Sequence, residues 1–167
     1  MRVLGIVVQP KTGRAAIHMA VLDDGSEESN QFDRSTVELK EALTLPVDAA
    51  GLGTQLGDAA RAVRGMVQTW GLDRIVVRSA DFSSRQGLTD GTTRRLMLEG
   101  AITAAVQHVV PQTEVRSGRS CGTVFGADKG TLDAIASELV VAARGKGDPK
   151  LSGAVAAALS GVAQGRL

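Results

Sequence analysis

The chain has 167 residues, 43% of them hydrophobic, and a formal net charge of +1. That length supports one domain with a core of its own, and near-neutrality excludes holding a polyanion through the field of the whole molecule; any nucleic-acid contact needs a local cluster of Arg and Lys. The aromatic residues are Phe32, Phe82, Phe125 and Trp70, too few for a platform that stacks successive unpaired bases.

Residues Arg2 to Val8 form an apolar run, and after the turn Gln9-Pro10-Lys11-Thr12-Gly13-Arg14 a second run extends from Ala15 to Leu22 and ends at Asp23-Asp24-Gly25. Two such runs joined by a Pro/Gly turn predict a β-hairpin. The polar stretch "SEESNQFDRST" reads as a loop, followed by a short third strand at Val37-Glu38-Leu39 and a connection bounded by Pro46. Leu56, Ala59, Ala60, Val63, Val67 and Trp70 recur at helical spacing, so the segment from about Thr54 to Trp70 is expected to be a helix that Gly71 stops. Arg74-Ile75-Val76-Val77-Arg78 is a β-branched run of the kind buried in a parallel sheet.

Beyond a Gly/Ser/Asp-rich loop, Leu98, Ile102, Ala105, Val106 and Val109 mark a second helix, with Thr92 or Thr93 as its cap. Glu114-Val115-Arg116 reads as a further parallel edge strand. Two helices close the chain, one through Leu132, Ile135, Ala136, Leu139 and Val140, and one capped by Asp148 with Pro149 at its first position. The order is that of an α/β protein with a mixed sheet, an N-terminal hairpin or meander plus parallel strands flanked by helices, in a single domain over residues 1–167.

The lone Cys121 has no partner for an internal disulfide, no leader pattern opens the chain, and no apolar run approaches the roughly 20 residues of a membrane span. A cytoplasmic protein with no membrane association is expected. No metal-ligating or Cys–His pattern is legible: Cys121, His18 and His108 read as structural.

The element order resembles the RNase H-like superfamily, and local stretches resemble its RuvC-type Holliday-junction resolvases. That family opens with Leu-Gly-Ile-Asp-Pro-Gly, where this chain has Leu4-Gly5-Ile6-Val7-Val8-Gln9-Pro10. Its central strand ends in a Glu and leads through a loop to a Gly/Ala-rich helix; "IVVRSADFSSRQGLTDGTTRRLMLEGAITAAV" stands in that place. An Ala-Asp-Lys before a late helix is matched by Ala127-Asp128-Lys129. The family's last helix, beginning Asp-Ala-Ala-Asp-Ala-Leu-Ala, is similar in pattern to Leu151-Ser152-Gly153-Ala154-Val155-Ala156. A small uncharacterised bacterial family related to RuvC is similar also in following a basic strand end with a Leu-Glu-Ala-Ala-Ile helix, here Leu98-Glu99-Gly100-Ala101-Ile102.

The resemblance implies a two-metal nuclease site, in which carboxylates hold two divalent ions about 4 Å apart. The residues here depart from it at each acid. Val7, or Val8 with a shifted turn, replaces the first Asp, and Arg78 or Ser79 replaces the central Glu. The acids of the last helix fall near Lys150 or Leu151 and near Gly153. The expectation is therefore a degenerate domain with no catalytic residues, no metal ligands and no cofactor, retained as a binding or assembly module that contacts nucleic-acid phosphates. One alternative is a nuclease with carboxylates relocated to Asp81, Glu99, Asp128 and Asp133; another is a protein–protein homo-oligomerisation module.

Candidate phosphate-binding residues are Arg78, Ser79, Ser83, Arg85, Arg94, Arg95, Arg116, Arg119 and Lys129. The loop Ser79 to Gly91 follows a strand at the carboxyl edge, where α/β proteins place ligands, and also reads as a plain solvated connection. Arg94 and Arg95 fall in the expected first turn of a helix, against its dipole, which invites an anion; Glu99, four residues after Arg95, equally offers an ion pair. "EVRSGRSCGTVFGADKG" has the composition of a phosphate loop without P-loop spacing, or of a flexible basic loop. The small-residue stripe from Leu151 to Val162 suits close packing on a neighbouring helix, or pairing in a homodimer.

Overall fold

A computed structural model describes residues 1–11, 14–25, 33–48, 51–80 and 89–165. The hairpin consists of β1 (Arg2–Lys11) and β2 (Arg14–Asp24), antiparallel from Arg2 opposite Asp23 to Lys11 opposite Arg14. After a 3-10 turn at Arg34–Thr36 comes β3 (Val37–Asp48), then α1 (Leu52–Trp70), β4 (Arg74–Arg78), α2 (Asp90–Gln107) and β5 (Thr113–Arg116). Three helices follow: α3 (Gly118–Phe125), α4 (Lys129–Arg144) and α5 (Pro149–Gln164).

The strands form one sheet in the order β3-β2-β1-β4-β5, antiparallel across the meander and parallel from β1 through β4 to β5. This is the mixed α/β sheet that the sequence predicts.

β1 is apolar on both faces because both faces are covered. Leu4, Ile6 and Val8 join Ile17, Met19, Ile75 and Val77 in a core closed by Val63 of α1 and Ile102 of α2. Val3 and Val7 face the other way, with Ala20, Leu22 and Val76, into a core built on α5 and closed outside it by Cys121 of α3 and by Leu132, Ala136 and Val140 of α4. Helix α5 is thus an inner layer, between the sheet and the pair α3/α4.

That position explains its composition. Every residue from Ala154 to Ala163 is buried, and small side chains let the helix approach the sheet closely. At Gly5 a Cβ would lie 1.8 Å from the carbonyl oxygen of Ala154 and 2.7 Å from the nitrogen of Ala158; at Gly161 it would lie 2.7 Å from Val3 Cγ1. The stripe proposed for a homodimer is consumed inside the chain, so self-association through it is corrected to internal packing.

Three local expectations need correction. The third strand is not limited to Val37-Glu38-Leu39: it runs on through Pro46 to Asp48, with Pro46 opposite Ala16. Proline is tolerated there because β3 is an edge strand. Helix α2 begins at Asp90, with Thr89 as its N-cap; the Thr89 hydroxyl accepts from the Thr92 N–H at 3.2 Å. Arg94 and Arg95 therefore lie beyond the first turn, and their conflict with the dipole falls away. The segment after β5 is not a loop but α3, opened by Ser117, whose hydroxyl accepts from the Ser120 N–H at 3.1 Å, and closed by Gly126 at φ 85°. Asp148 caps α5 with Pro149 behind it, as the sequence predicts.

Candidate anion-binding cleft

At the carboxyl ends of β1 and β4 the sheet opens into a cleft of about 410 Å³. Val7 lies toward the carboxyl end of β1, and Arg78, opposite it in register, ends β4. From α5 come Pro149, Lys150, Ser152 and Gly153; from α4, Lys129, Asp133 and Ser137; Ser79 and Arg95 complete the lining. A second hollow of about 300 Å³ shares Val7, Arg95 and Lys150 and continues past Gln9 to Thr89, Gly91 and Thr92.

The location follows from the direction of the helices. Gly153 lies against Val7 and Gly161 against Val3, so α5 runs antiparallel to β1 and brings its N-terminus to the strand's carboxyl end. The first turns of α2 and α4 line the same hollows. Three positive helix ends meet where the sheet changes from antiparallel to parallel pairing, the place where open α/β sheets accept ligands.

Arg78 is the central cation. It is 8% exposed, and its guanidinium donates to both oxygens of Asp133, at 2.7 and 3.2 Å. Lys129 donates to Asp133 Oδ2 at 2.9 Å. Burial raises the Asp133 carboxyl, but hydrogen bonds and charge from Arg78 and Lys129 outweigh it and hold the group below its ordinary value. Its folded pKa is lower than its unfolded one, so the stabilisation is present above the ordinary aspartate value of 3.8 and is lost as pH falls through the folded value. Asp133→Asn is expected to melt below the wild type at pH 7, with the gap closing as pH falls below the ordinary aspartate value of 3.8 and through the lower folded one. Thermal unfolding followed by circular dichroism across that range checks this; a gap independent of pH would contradict it.

Arg95 reaches the cleft from α2. Its guanidinium donates to Glu99 Oε1 at 2.6 Å and to the Arg78 carbonyl at 3.2 Å, so the expected ion pair forms and also ties α2 to the end of β4. Burial pushes the Glu99 carboxyl up, with Arg95 and the Ala80 N–H acting in the other direction.

The other sequence candidates separate. Ser79 lines the cleft, its N–H donating to the Arg116 carbonyl at 2.8 Å. Arg116 is 5% exposed and committed elsewhere, donating to Glu114 at 2.7 Å and to the Ser160 hydroxyl at 3.0 Å; it is a strut between β5 and α5, not a ligand group. Arg94 is half-buried on α2 and Arg119 exposed on α3, and neither lines the cleft. Ser83, Arg85 and Asp81 lie outside the described residues. Sequence reasoning missed Ser137 and Ser152, and it named Lys150 only as a replaced acid.

Of the relocated carboxylates, the three among the described residues are each committed elsewhere. Glu99 is bound to Arg95; Asp128 is the N-cap of α4, its carboxylate accepting from Thr131 N at 2.9 Å; Asp133 is held by Arg78 and Lys129. Among the described residues no group of three or more His, Cys, Asp and Glu could hold a metal ion. The donor set in the cleft does not fit a divalent cation, because two cations already occupy the one carboxylate that lines it among those residues.

In architecture this is an RNase H-like α/β domain. Its backbone is similar to that of RuvC from Thermus thermophilus, at a TM-score of 0.67 with 14% identity over 99% of this chain and 96% of that one. T. thermophilus RuvC in complex with a Holliday junction substrate gives a TM-score of 0.69, 14% identity and coverage of 99% and 95%. The yeast mitochondrial Holliday junction resolvase Ydc2 gives 0.58, 12% identity and coverage of 98% and 79%. No protein-family model and no curated protein sequence matches the chain. The fold is that of the RuvC type. Among the described residues, no helix is long and apolar enough to cross a membrane.

Proposed function

We propose that this chain is a RuvC-like domain that contacts nucleic-acid phosphates and does not cleave them. One observation carries the reading. Val7, Arg78, Ser79, Lys150 and Gly153, at or beside the places where the family resemblance expects carboxylates, line one cleft and bring two cations and no acid. A buried guanidinium repels divalent ions from the position where they would activate water, so the fold keeps the geometry for a phosphodiester while the chemistry is gone.

The binding half of the proposal is supported by Arg78, Arg95, Lys129 and Lys150 around the cleft and by the helix N-termini aimed at it. The solved relative bound to a Holliday junction makes branched DNA the first probe. A four-way junction, a duplex and a single strand incubated with the protein and Mg²⁺ or Mn²⁺ are expected to stay intact, while low-salt binding weakens linearly in log salt. Metal-dependent cutting that disappears in Asp133→Asn protein would overturn the proposal, as would no binding at low salt.

A protein–protein role is the second reading, favoured by Leu96 and Met97 on α2, which are 36% and 46% exposed. Light scattering checks it: a dimer that Met97→Glu converts to monomer supports self-association, and a wild-type monomer removes it.

A further inference from the structure

The triad of Arg78, Asp133 and Lys129 is itself informative about the ligand. An Arg fork on both oxygens of one anion, with a lysine closing on one of them, is also the way proteins hold phosphate. Here that arrangement is built around an internal carboxylate.

The exposures are graded. The Arg78 side chain is 10% exposed, that of Asp133 32% and that of Lys129 45%. Asp133 thus stands between solvent and the buried guanidinium. Arg78 is seated at the strand end, its Nη1 lying 3.5 Å from the Gly153 carbonyl, and Arg95 donates to the carbonyl of Arg78 itself. Arg78 is fixed to the sheet, whereas Asp133 and Lys129 both come from the exterior helix α4. Lys150, exposed on the opposite wall, has no ion-pair partner among the described residues.

Resting on the phosphate-contact reading above, we propose that Arg78 and Lys129 form a metal-free phosphate subsite, and that Asp133 occupies it as an internal competitor which a nucleic-acid phosphate displaces. Asp133 rotates toward solvent, the phosphate takes the Arg78 fork and Lys129, and Lys150 closes from the α5 side. An internal competitor lowers the fraction of binding-competent molecules and so weakens apparent affinity by that fraction. It also screens weak anions from the site.

The test uses the full chain and a fluorescein-labelled duplex DNA at low salt with EDTA present, read by anisotropy. Asp133→Asn, which keeps the shape and an acceptor for Arg78, is expected to bind about tenfold more tightly than the wild type. Lys129→Ala is expected to bind several-fold more weakly, with the log–log salt slope shallower by roughly 0.9. If the wild type binds and Asp133→Asn binds equally or less tightly, Asp133 is a positioning residue for Arg78 and the competitor proposal is wrong, while the phosphate-contact reading stands. If neither protein binds, both fall. Should Asp133→Asn fail to fold, Lys129→Ala decides: unchanged affinity and slope overturn the subsite.

Discussion

Gly5→Ala is expected to destabilise the domain by about 3 kcal/mol or more, a large fraction of the stability of a typical domain. The added Cβ would lie 1.8 Å from the Ala154 carbonyl oxygen and 2.9 Å from its carbon. These are backbone atoms of a helix wedged between the sheet and α3/α4, so no rotamer change relieves the clash. Either α5 lifts off β1, opening the core around Val3, Val7 and Val76, or the strand leaves its ladder with β2 and β4. Gly57→Ala is the control: it sits on α1 with open space where a Cβ would go, and helix propensity makes that change neutral or slightly stabilising. Urea unfolding of both variants separates the cases. A Gly5→Ala protein as stable as the wild type would mean that α5 does not lie this close to the sheet.

The second large effect concerns the Arg78–Asp133 pair. Asp133→Leu is expected to cost about 3 kcal/mol, because it removes the Asp133 carboxylate from a largely buried Arg78 side chain. Arg78→Met combined with Asp133→Leu removes both charges and is expected to recover most of that loss, since a hydrophobic pair of similar volume often matches a buried ion pair. The two positions are in contact, so their effects are not additive, and the double-mutant cycle measures the coupling. The pair is also set apart by function: the double variant is expected to be stable yet to have lost binding to phosphate-bearing probes. A double variant no more stable than Asp133→Leu would place the cost in the packing of α4, not in the buried charge.

Most of the fold was legible because β1, β2 and β4 carry apolar runs between turns and most of its helices carry apolar stripes. What stayed hidden has specific causes. Pro46 argues against a strand unless the strand is known to lie at a sheet edge, and nothing local says that it does. Helix α3 is rich in Gly and Ser, and it reads as a loop until Ser117 and Gly126 are recognised as its caps. Helix α5 was placed correctly, but a stripe of small residues does not reveal whether it meets a neighbouring layer or a second molecule.

The candidate site divides the same way. The resemblance placed Val7 or Val8, Arg78 or Ser79, Lys150 or Leu151, and Gly153 near the metal positions; Val7, Arg78, Ser79, Lys150 and Gly153 line the cleft, whereas Leu151 is buried in the core. Asp133, 55 residues from Arg78, could not be paired with it by spacing, because the contact depends on how α4 lies over α5. Arg116 misled for the opposite reason. Its glycine- and serine-rich surroundings suggested exposure, whereas Glu114 and Ser160 hold it inside.

The inner position of α5 also bears on how the domain comes into being. All five strands and helices α1 to α4 precede residues 149–164 along the chain, so during synthesis they emerge first. Until α5 follows, Val3, Val7 and Val76 on the sheet, and Leu132, Ala136 and Val140 on α4, have no surface to meet. The core between the sheet and α1/α2 can close while the chain is still growing; the other core cannot. The nascent domain therefore passes through a half-closed stage with one apolar sheet face open, the stage at which aggregation or chaperone capture is most favoured.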